Sequence, residues 1–263
     1  NFDSSRTTVT YNSLFTGDRF TGGDRLADLD QISAGVTTRF INDAGLEQFR
    51  ASAGRIWYNS DRRVQLDGSS IPDADTRGMS SLLGEVEWNP TLNWSLYHTL
   101  EWDSYRDFAR QRRYGVRYED ENNHFLNVAT NTVQSWNTTD EEVDTSTRQI
   151  DAGFFWALTD SWAIVGRQLR DLRSYDADER QPISPVLESL AGFEYQNCCW
   201  RAQFLYRETS PSDTDADTEY STDKRYGFML SIQLKGLGNF GSGSDSIISE
   251  GITGYSRRQY HDY

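Results

Sequence analysis

The sequence is poor in lysine, cysteine and histidine, and it contains no long apolar run. Lys224 and Lys235 are its two lysines, Cys198 and Cys199 its two cysteines, and His98, His124 and His261 its three histidines. The densest apolar stretch, Phe154-Phe155-Trp156-Ala157-Leu158, is strand-sized, whereas a membrane helix needs about 18–20 apolar residues in succession. Helical membrane spanning is excluded. A transmembrane β-barrel is not, because its strands are greasy on one side only. With 26 Lys+Arg against 40 Asp+Glu the net charge is −14. The arginines are scattered, often beside acids, so no basic stripe offers itself to nucleic acid. The start, Asn1-Phe2-Asp3-Ser4, has neither the basic nor the apolar region of a signal peptide; a mature secreted chain looks the same.

What the sequence does have is alternation. Leu92, Trp94, Leu96, Leu100 and Trp102 share one parity, and Asn93, Ser95, Thr99, Glu101 and Asp103 the other. Ile150, Ala152, Phe154, Trp156 and Leu158 alternate with Gln149, Asp151, Gly153, Phe155 and Ala157. Trp200, Ala202, Phe204 and Tyr206 alternate with Arg201, Gln203 and Arg207. Tyr226, Phe228, Leu230, Ile232 and Leu234 alternate with Arg225, Gly227, Met229, Ser231, Gln233 and Lys235. Successive side chains of a strand point to opposite faces, so each segment is largely apolar on one side and more polar on the other. Weaker alternation marks 31–40, 49–58, 81–88, 112–118, 124–130, 162–170 and 187–195, giving about eleven strands. The pattern does not fix the facing of 49–58 and 162–170.

The connections alternate too. Short links fall near 42–45, 89–91, 119–122, 159–161 and 196–197, and longer polar links near 60–77, 104–111, 131–147, 171–185 and 208–223. An outer-membrane barrel has short periplasmic turns and longer outer loops, which gives this rhythm. All five prolines, Pro72, Pro90, Pro182, Pro185 and Pro211, fall in connections, as ladder hydrogen bonding requires. Trp88 and Trp94 flank one short turn, Trp156 and Trp162 another, and Tyr195 and Trp200 a third. Trp57, Trp102, Tyr114, Tyr206 and Tyr226 sit at the opposite strand ends. Such rings favour the headgroup zone. A soluble β-sandwich or β-helix also alternates, but its loop lengths need not, and its apolar face is richer in Val and Ile.

The cysteines are adjacent. A trans peptide holds their Cα atoms about 3.8 Å apart, below the usual disulfide range, and on a strand they point to opposite faces. They are either inert thiols or partners of cysteines outside this sequence, which an oxidising periplasm permits. No CxxC or histidine pair completes a zinc site.

These residues resemble the LPS-assembly protein LptD (OstA) family. The likeness lies in Leu14-Phe15-Thr16-Gly17-Asp18-Arg19-Phe20-Thr21-Gly22-Gly23-Asp24-Arg25, then Asp30-Gln31, Gly35-Val36-Thr37-Thr38-Arg39-Phe40 and Gly54-Arg55-Ile56-Trp57-Tyr58. Its most specific piece is Gly192-Phe193-Glu194-Tyr195-Gln196-Asn197-Cys198-Cys199-Trp200, and the run into Lys235-Gly236-Leu237-Gly238 also fits. The likeness covers nearly all of this chain but only the C-terminal part of a family member.

The resemblance implies an all-β fold: an antiparallel transmembrane β-barrel, of which these are about eleven C-terminal strands. Residues 1–235 are then barrel wall and 236–263 a periplasmic C-terminal tail. It further implies that the complete protein inserts lipopolysaccharide into the outer leaflet of a Gram-negative outer membrane. The barrel encloses an LptE-type lipoprotein plug, and an N-terminal jellyroll receives lipopolysaccharide from a periplasmic transport bridge. The lipid leaves through a lateral gate between first and last strands, and loops face outward. By the same resemblance Cys198 and Cys199 are barrel-side disulfide partners of N-terminal cysteines. Tyr226, Phe228, Leu230, Ile232 and Leu234 belong to the gate strand.

Eleven strands in sequence leave two edges, and lipid cannot hydrogen-bond exposed backbone. The edges before Gln31 and at Arg225–Lys235 are therefore expected to be paired, or to meet, in the complete protein. A passive porin or solute channel shares every barrel signal but has no need of vicinal cysteines.

Catalysis finds little support. His98 lies on the apolar parity of its strand, and Asn123-His124 has no matched serine or aspartate set. No nucleophile–base pair stands out, so no catalytic residue, cofactor or metal is expected. Asp213-Thr214-Asp215-Ala216-Asp217 opens like a calcium loop, but Thr218 replaces the glycine and Lys224 stands where the closing glutamate belongs. Gly17, Gly22 and Gly23 read as loop glycines.

Overall fold

Alternation along the sequence becomes one antiparallel meander. A computed structural model describes residues 10–17, 19–21, 27–65, 73–137, 140–172, 186–210, 224–235 and 238–241. Among these the chain forms β1 Gln31–Ile41, β2 Glu47–Tyr58, β3 Leu82–Trp88, β4 Trp94–Asp103, β5 Phe108–Glu119 and β6 Phe125–Asn137. It continues with β7 Glu142–Ala157, β8 Trp162–Asp171, β9 Val186–Gln196, β10 Trp200–Thr209, β11 Arg225–Leu234 and β12 Gly238–Gly241. They lie in one sheet whose spatial order is the sequence order. A 3-10 turn, Asn12–Phe15, and a short helix α1, Asp73–Thr76, are the other elements. No helix among the described residues is long and apolar enough to cross a membrane.

The chain divides into two compact units. The first is Asn1–Asn89, Tyr97–Arg113 and Val133–Asp144; the second is Pro90–Leu96, Tyr114–Thr132 and Thr145–Tyr263.

In the first unit β1, β2 and β3 pair in order, Ile32 against Trp57, Val36 against Ala53, and Phe40 against Phe49, itself opposite Trp88. Ile32, Val36, Phe40, Trp57 and Trp88 are exposed, so this face is apolar and uncovered. The other face carries Leu14, Ile56 and Leu83, with Tyr11 and Tyr58 packed against them. Glycine admits the N-terminal segment to that face. A Cβ on Gly35 would stand 2.7 Å from the Tyr11 hydroxyl, and one on Gly54 2.8 Å from Leu14 Cδ1.

In the second unit β7 to β11 pair antiparallel in succession, with one register shift on β8–β9 between Leu169 and Arg170. Trp156, Ile164 and Phe193 form one row of the apolar face, and Phe204 and Leu230 continue it. Phe193 and Phe204 stack at 5.5 Å, and Phe204 and Phe228 at 5.8 Å. Phe228 is 70% exposed, and Trp94 and Phe154 are exposed too, so these rings are not gathered into a sealed core.

Three expectations need correction. The parity opposite Phe154 is not polar throughout: Phe155, 1% exposed, joins Phe125, Ala163, Val165, Leu190 and Leu205 in a buried cluster, with Met229 against it. Val165, Gly192, Leu205 and Met229 face one another across β8–β11, and Gly192 leaves the space that Leu205 fills.

The links expected at 104–111 and 131–147 shrink to 104–107 and 138–141, because β5, β6 and β7 run further than the alternation. Asn131, Thr145 and Ser146 are polar residues within these strands. Alternation reports one-sided contact with an apolar medium, while the backbone ladder needs no such contact.

The third correction is at the end of β11, where the chain turns back once more. β12 pairs with it from Ser231–Gly241 to Leu234–Gly238. The rest of the 236–263 segment, His261, Gly22, Gly23 and the acidic run Asp213–Asp217 lie outside the described residues.

Candidate functional site

β11 is held by β10 along its length, Trp200 opposite Leu234 and Thr209 opposite Arg225. On its other side β12 spans only the Ser231–Leu234 end. Tyr226, Phe228, Leu230, Ile232 and Leu234 are all exposed, with Tyr226 at 68%. The five residues thus share one uncovered face of a strand near the end of the sheet.

Cys198 and Cys199 stand in the turn between β9 and β10, not on a strand, and the expected opposite facing does not hold. Both are free and exposed, with their sulfurs 2.7 Å apart. Asn197 builds the turn: its side-chain oxygen accepts from the N–H groups of Cys199 and Trp200, both at 2.9 Å, an Asx turn that asparagine favours. Lys235, just after β11, ties in by donating its N–H to the Cys199 carbonyl at 2.9 Å and its ammonium to the Asn197 carbonyl. The hydrogen bond with Cys198 and the charge of that neighbour push the Cys199 thiol above the usual cysteine range, against the pull of Lys235.

Aromatic side chains gather beside the short turns. Trp94 lies 5.0 Å from Tyr118, and Tyr118 stacks with Trp156 at 6.3 Å. Trp162, Tyr195 and Trp200 continue the group at 4.9 and 5.0 Å. Of the pairs that flank turns in the sequence, Tyr195 and Trp200 are in direct ring contact.

His124 is a structural member of that belt. Its Nδ1 lies 2.8 Å from Asp120 Oδ2 and its Nε2 2.9 Å from the Ala157 carbonyl. Burial raises the Asp120 carboxyl, but hydrogen bonds from the His124 backbone and ring and from the Tyr118 hydroxyl outweigh it and hold the group below the usual carboxylate range.

Side-chain ion pairs line the face opposite the apolar one, and sequence spacing does not reveal them. In the first unit Arg62 and Arg19 both reach Asp75, at 3.3 and 3.1 Å, and Arg77 reaches Asp103 at 2.9 Å. They border a cavity of ≈ 190 Å³ that Ser80, Ser81 and Tyr105 also line. In the second unit Arg167 forks onto Asp151 through two 2.9 Å hydrogen bonds and meets Glu188, which also takes Arg207. Nearer the cysteine turn, Gln203 donates to buried Glu194 at 2.7 Å. The available signal is an arginine and an acid on the polar parity of neighbouring strands, which becomes useful only once register is known.

The family model of LptD, LPS transport system D, matches residues 1–162. The LPS-assembly protein LptD of Pseudomonas aeruginosa (strain LESB58) is 30% identical, over 98% of this chain and 30% of that protein. The proteins of the same name from Marinobacter nauticus and Alcanivorax borkumensis are each 32% identical, over 98% and 99% of this chain and 29% and 31% of theirs. The chain therefore spans about a third or less of the curated relatives it matches. The solved copper transporter OprC covers 70% of this chain and 36% of its own at 15% identity, with a TM-score of 0.32, too slight a likeness to carry weight. With the family model matching residues 1–162, well over half of the sequence, the chain belongs to the LptD family.

Proposed function

We propose that this chain is the C-terminal part of an outer-membrane β-barrel wall, and that the complete protein inserts lipopolysaccharide into the outer leaflet of a Gram-negative cell. The apolar face meets lipid and the ion-paired face lines an interior that takes an LptE-type lipoprotein plug. The long connections face outward and the cysteine turn faces the periplasm, within reach of N-terminal cysteines that become the disulfide partners of Cys198 and Cys199. Lipopolysaccharide arrives from a periplasmic bridge through the rest of the protein. It has apolar chains and an anionic head, so it needs a sideways outlet to the membrane, and a weakly paired seam supplies one.

The observation that carries this reading is β11. Its five apolar side chains are exposed in register, and β12 covers only one end of its far edge. The test is a cysteine pair in the full-length protein, one member in β11 and one in the opening strand of the barrel. Cross-linking should stop delivery of lipopolysaccharide to the cell surface; undiminished delivery after complete cross-linking overturns the lateral route.

A further inference from the structure

We propose that Arg148 and Arg170 form a seat, on the apolar face of β7–β8, for the phosphate of an anionic lipid headgroup. The inference rests on the reading of this sheet as an outer-membrane wall. Ile150 stands opposite Arg170, and the Leu172 N–H donates to the Arg148 carbonyl at 2.6 Å. The two arginines are therefore diagonal neighbours on one face, about 7–8 Å apart at their bases. Both are exposed, and neither guanidinium meets a carboxylate among the described residues. The other described arginines of β7–β10 are paired and face the opposite way: Arg167 with Asp151 and Glu188, Arg207 with Glu188, and Arg201 with Glu194.

Position along the strand points to a lipid. From Arg170 toward the short turn the same face of β8 carries Gln168, Gly166, Ile164 and Trp162, beside Ala152, Phe154 and Trp156 of β7. Eight residues at the strand rise cover about 26 Å, or about 20 Å across a bilayer at the usual barrel tilt. The indole rings thus mark one rim of an apolar band and the two guanidinium groups the other. Phosphate oxygens suit the planar donor fork of arginine, and the acyl chains of the same molecule would lie along Ile150 and Phe154. An isolated phosphate ion would use only the first of these contacts.

The test is native mass spectrometry of the detergent-purified full-length complex. The probes are dimyristoyl phosphatidylglycerol, dimyristoylglycerol, which lacks the phosphate, and inorganic phosphate. The unchanged protein should retain the phospholipid over the diacylglycerol, and R148A/R170A should lower that retention roughly three- to tenfold. R148K/R170K should keep part of it, and inorganic phosphate should not displace the lipid. Equal retention by the alanine variant overturns the seat, and displacement by inorganic phosphate overturns its assignment to a lipid. Cell fractionation separates the two readings: absence of the unchanged protein from the outer membrane defeats the wall reading itself, whereas its presence there with no arginine effect defeats only the seat.

Discussion

The imidazole of His124 lies nearly flat on the indole of Trp156, with ring centroids 4.1 Å apart and planes at 19°. The same imidazole bridges Asp120 and the Ala157 carbonyl, so one side chain ties the β5–β6 turn to the end of β7.

Removing it should loosen that end. His124→Ala loses two hydrogen bonds and an aromatic contact and should destabilise the folded protein by about 1–2 kcal/mol, read as a lower urea midpoint in detergent. Asp120 adds a pH dependence. Its folded carboxyl titrates below the unfolded value, so its contribution is present above that value and is lost as pH falls through the depressed folded one. Asp120→Asn should lower stability at neutral pH and flatten the loss on acidification; an unchanged acid limb speaks against this network.

Gly192 and Leu205 test the buried row. A Cβ at Gly192 would lie 2.3 Å from the Phe204 carbonyl oxygen and 2.4 Å from Leu205 Cδ2, so Gly192→Ala should cost about 1–3 kcal/mol. Gly227→Ala, with nothing within 4 Å of the new Cβ, is the matched control. Leu205, 0% exposed, should lose about 2–5 kcal/mol on truncation to alanine. Heat-modifiability on gels measures all three variants.

Arg77 and Asp103 test the ion pairs. Both side chains are largely covered, so Arg77→Ala takes the counter-charge from a buried carboxylate that keeps, among the described residues, only the N–H groups of Tyr105 and Arg106 and should cost about 3 kcal/mol. The Arg77→Met, Asp103→Leu double variant should recover part of that loss, because no charge is then buried alone although the N–H groups of Tyr105 and Arg106 lose their acceptor. A double variant as unstable as the single one would show that the Asp103 hydrogen bonds to the following turn outweigh the buried charge.

The cysteine turn gives a chemical readout. Cys198→Ala removes the groups that hold the Cys199 thiol high, so alkylation of Cys199 at pH 8 should speed up, since the thiolate is the nucleophile. Lys235→Ala should slow it. In cells, replacing both cysteines by serine in the full-length protein should leave it poorly assembled, as non-reducing gels of the membranes would show; normal assembly favours a simple porin.

Strands β4, β7, β10 and β11 were legible in the sequence because each turns one face to an apolar medium, which writes itself as alternation at Trp94, Phe154, Phe204 and Phe228. The outer parts of β6 and β7 were not, since Asn131 and Thr145 extend a ladder without any change of medium. β12 is a four-residue strand with glycine at both ends, too short for a period to register. The cysteine pair stands out in the sequence by its adjacency and by the run Gly192–Trp200 around it, but its turn is built by Asn197, whose side-chain role depends on local backbone shape. The Arg19–Asp75 and Arg77–Asp103 pairs join positions brought together only by folding, and the burial of Phe155 depends on Val165, Leu190 and Leu205 of neighbouring strands, which period along one strand does not report.

The row of Phe155, Val165, Leu205 and Met229 lies between the Glu194–Gln203 layer and the Arg167–Glu188 layer. A chain of side-chain hydrogen bonds running along this face is therefore interrupted between the two layers, and each polar group must be satisfied within its own layer.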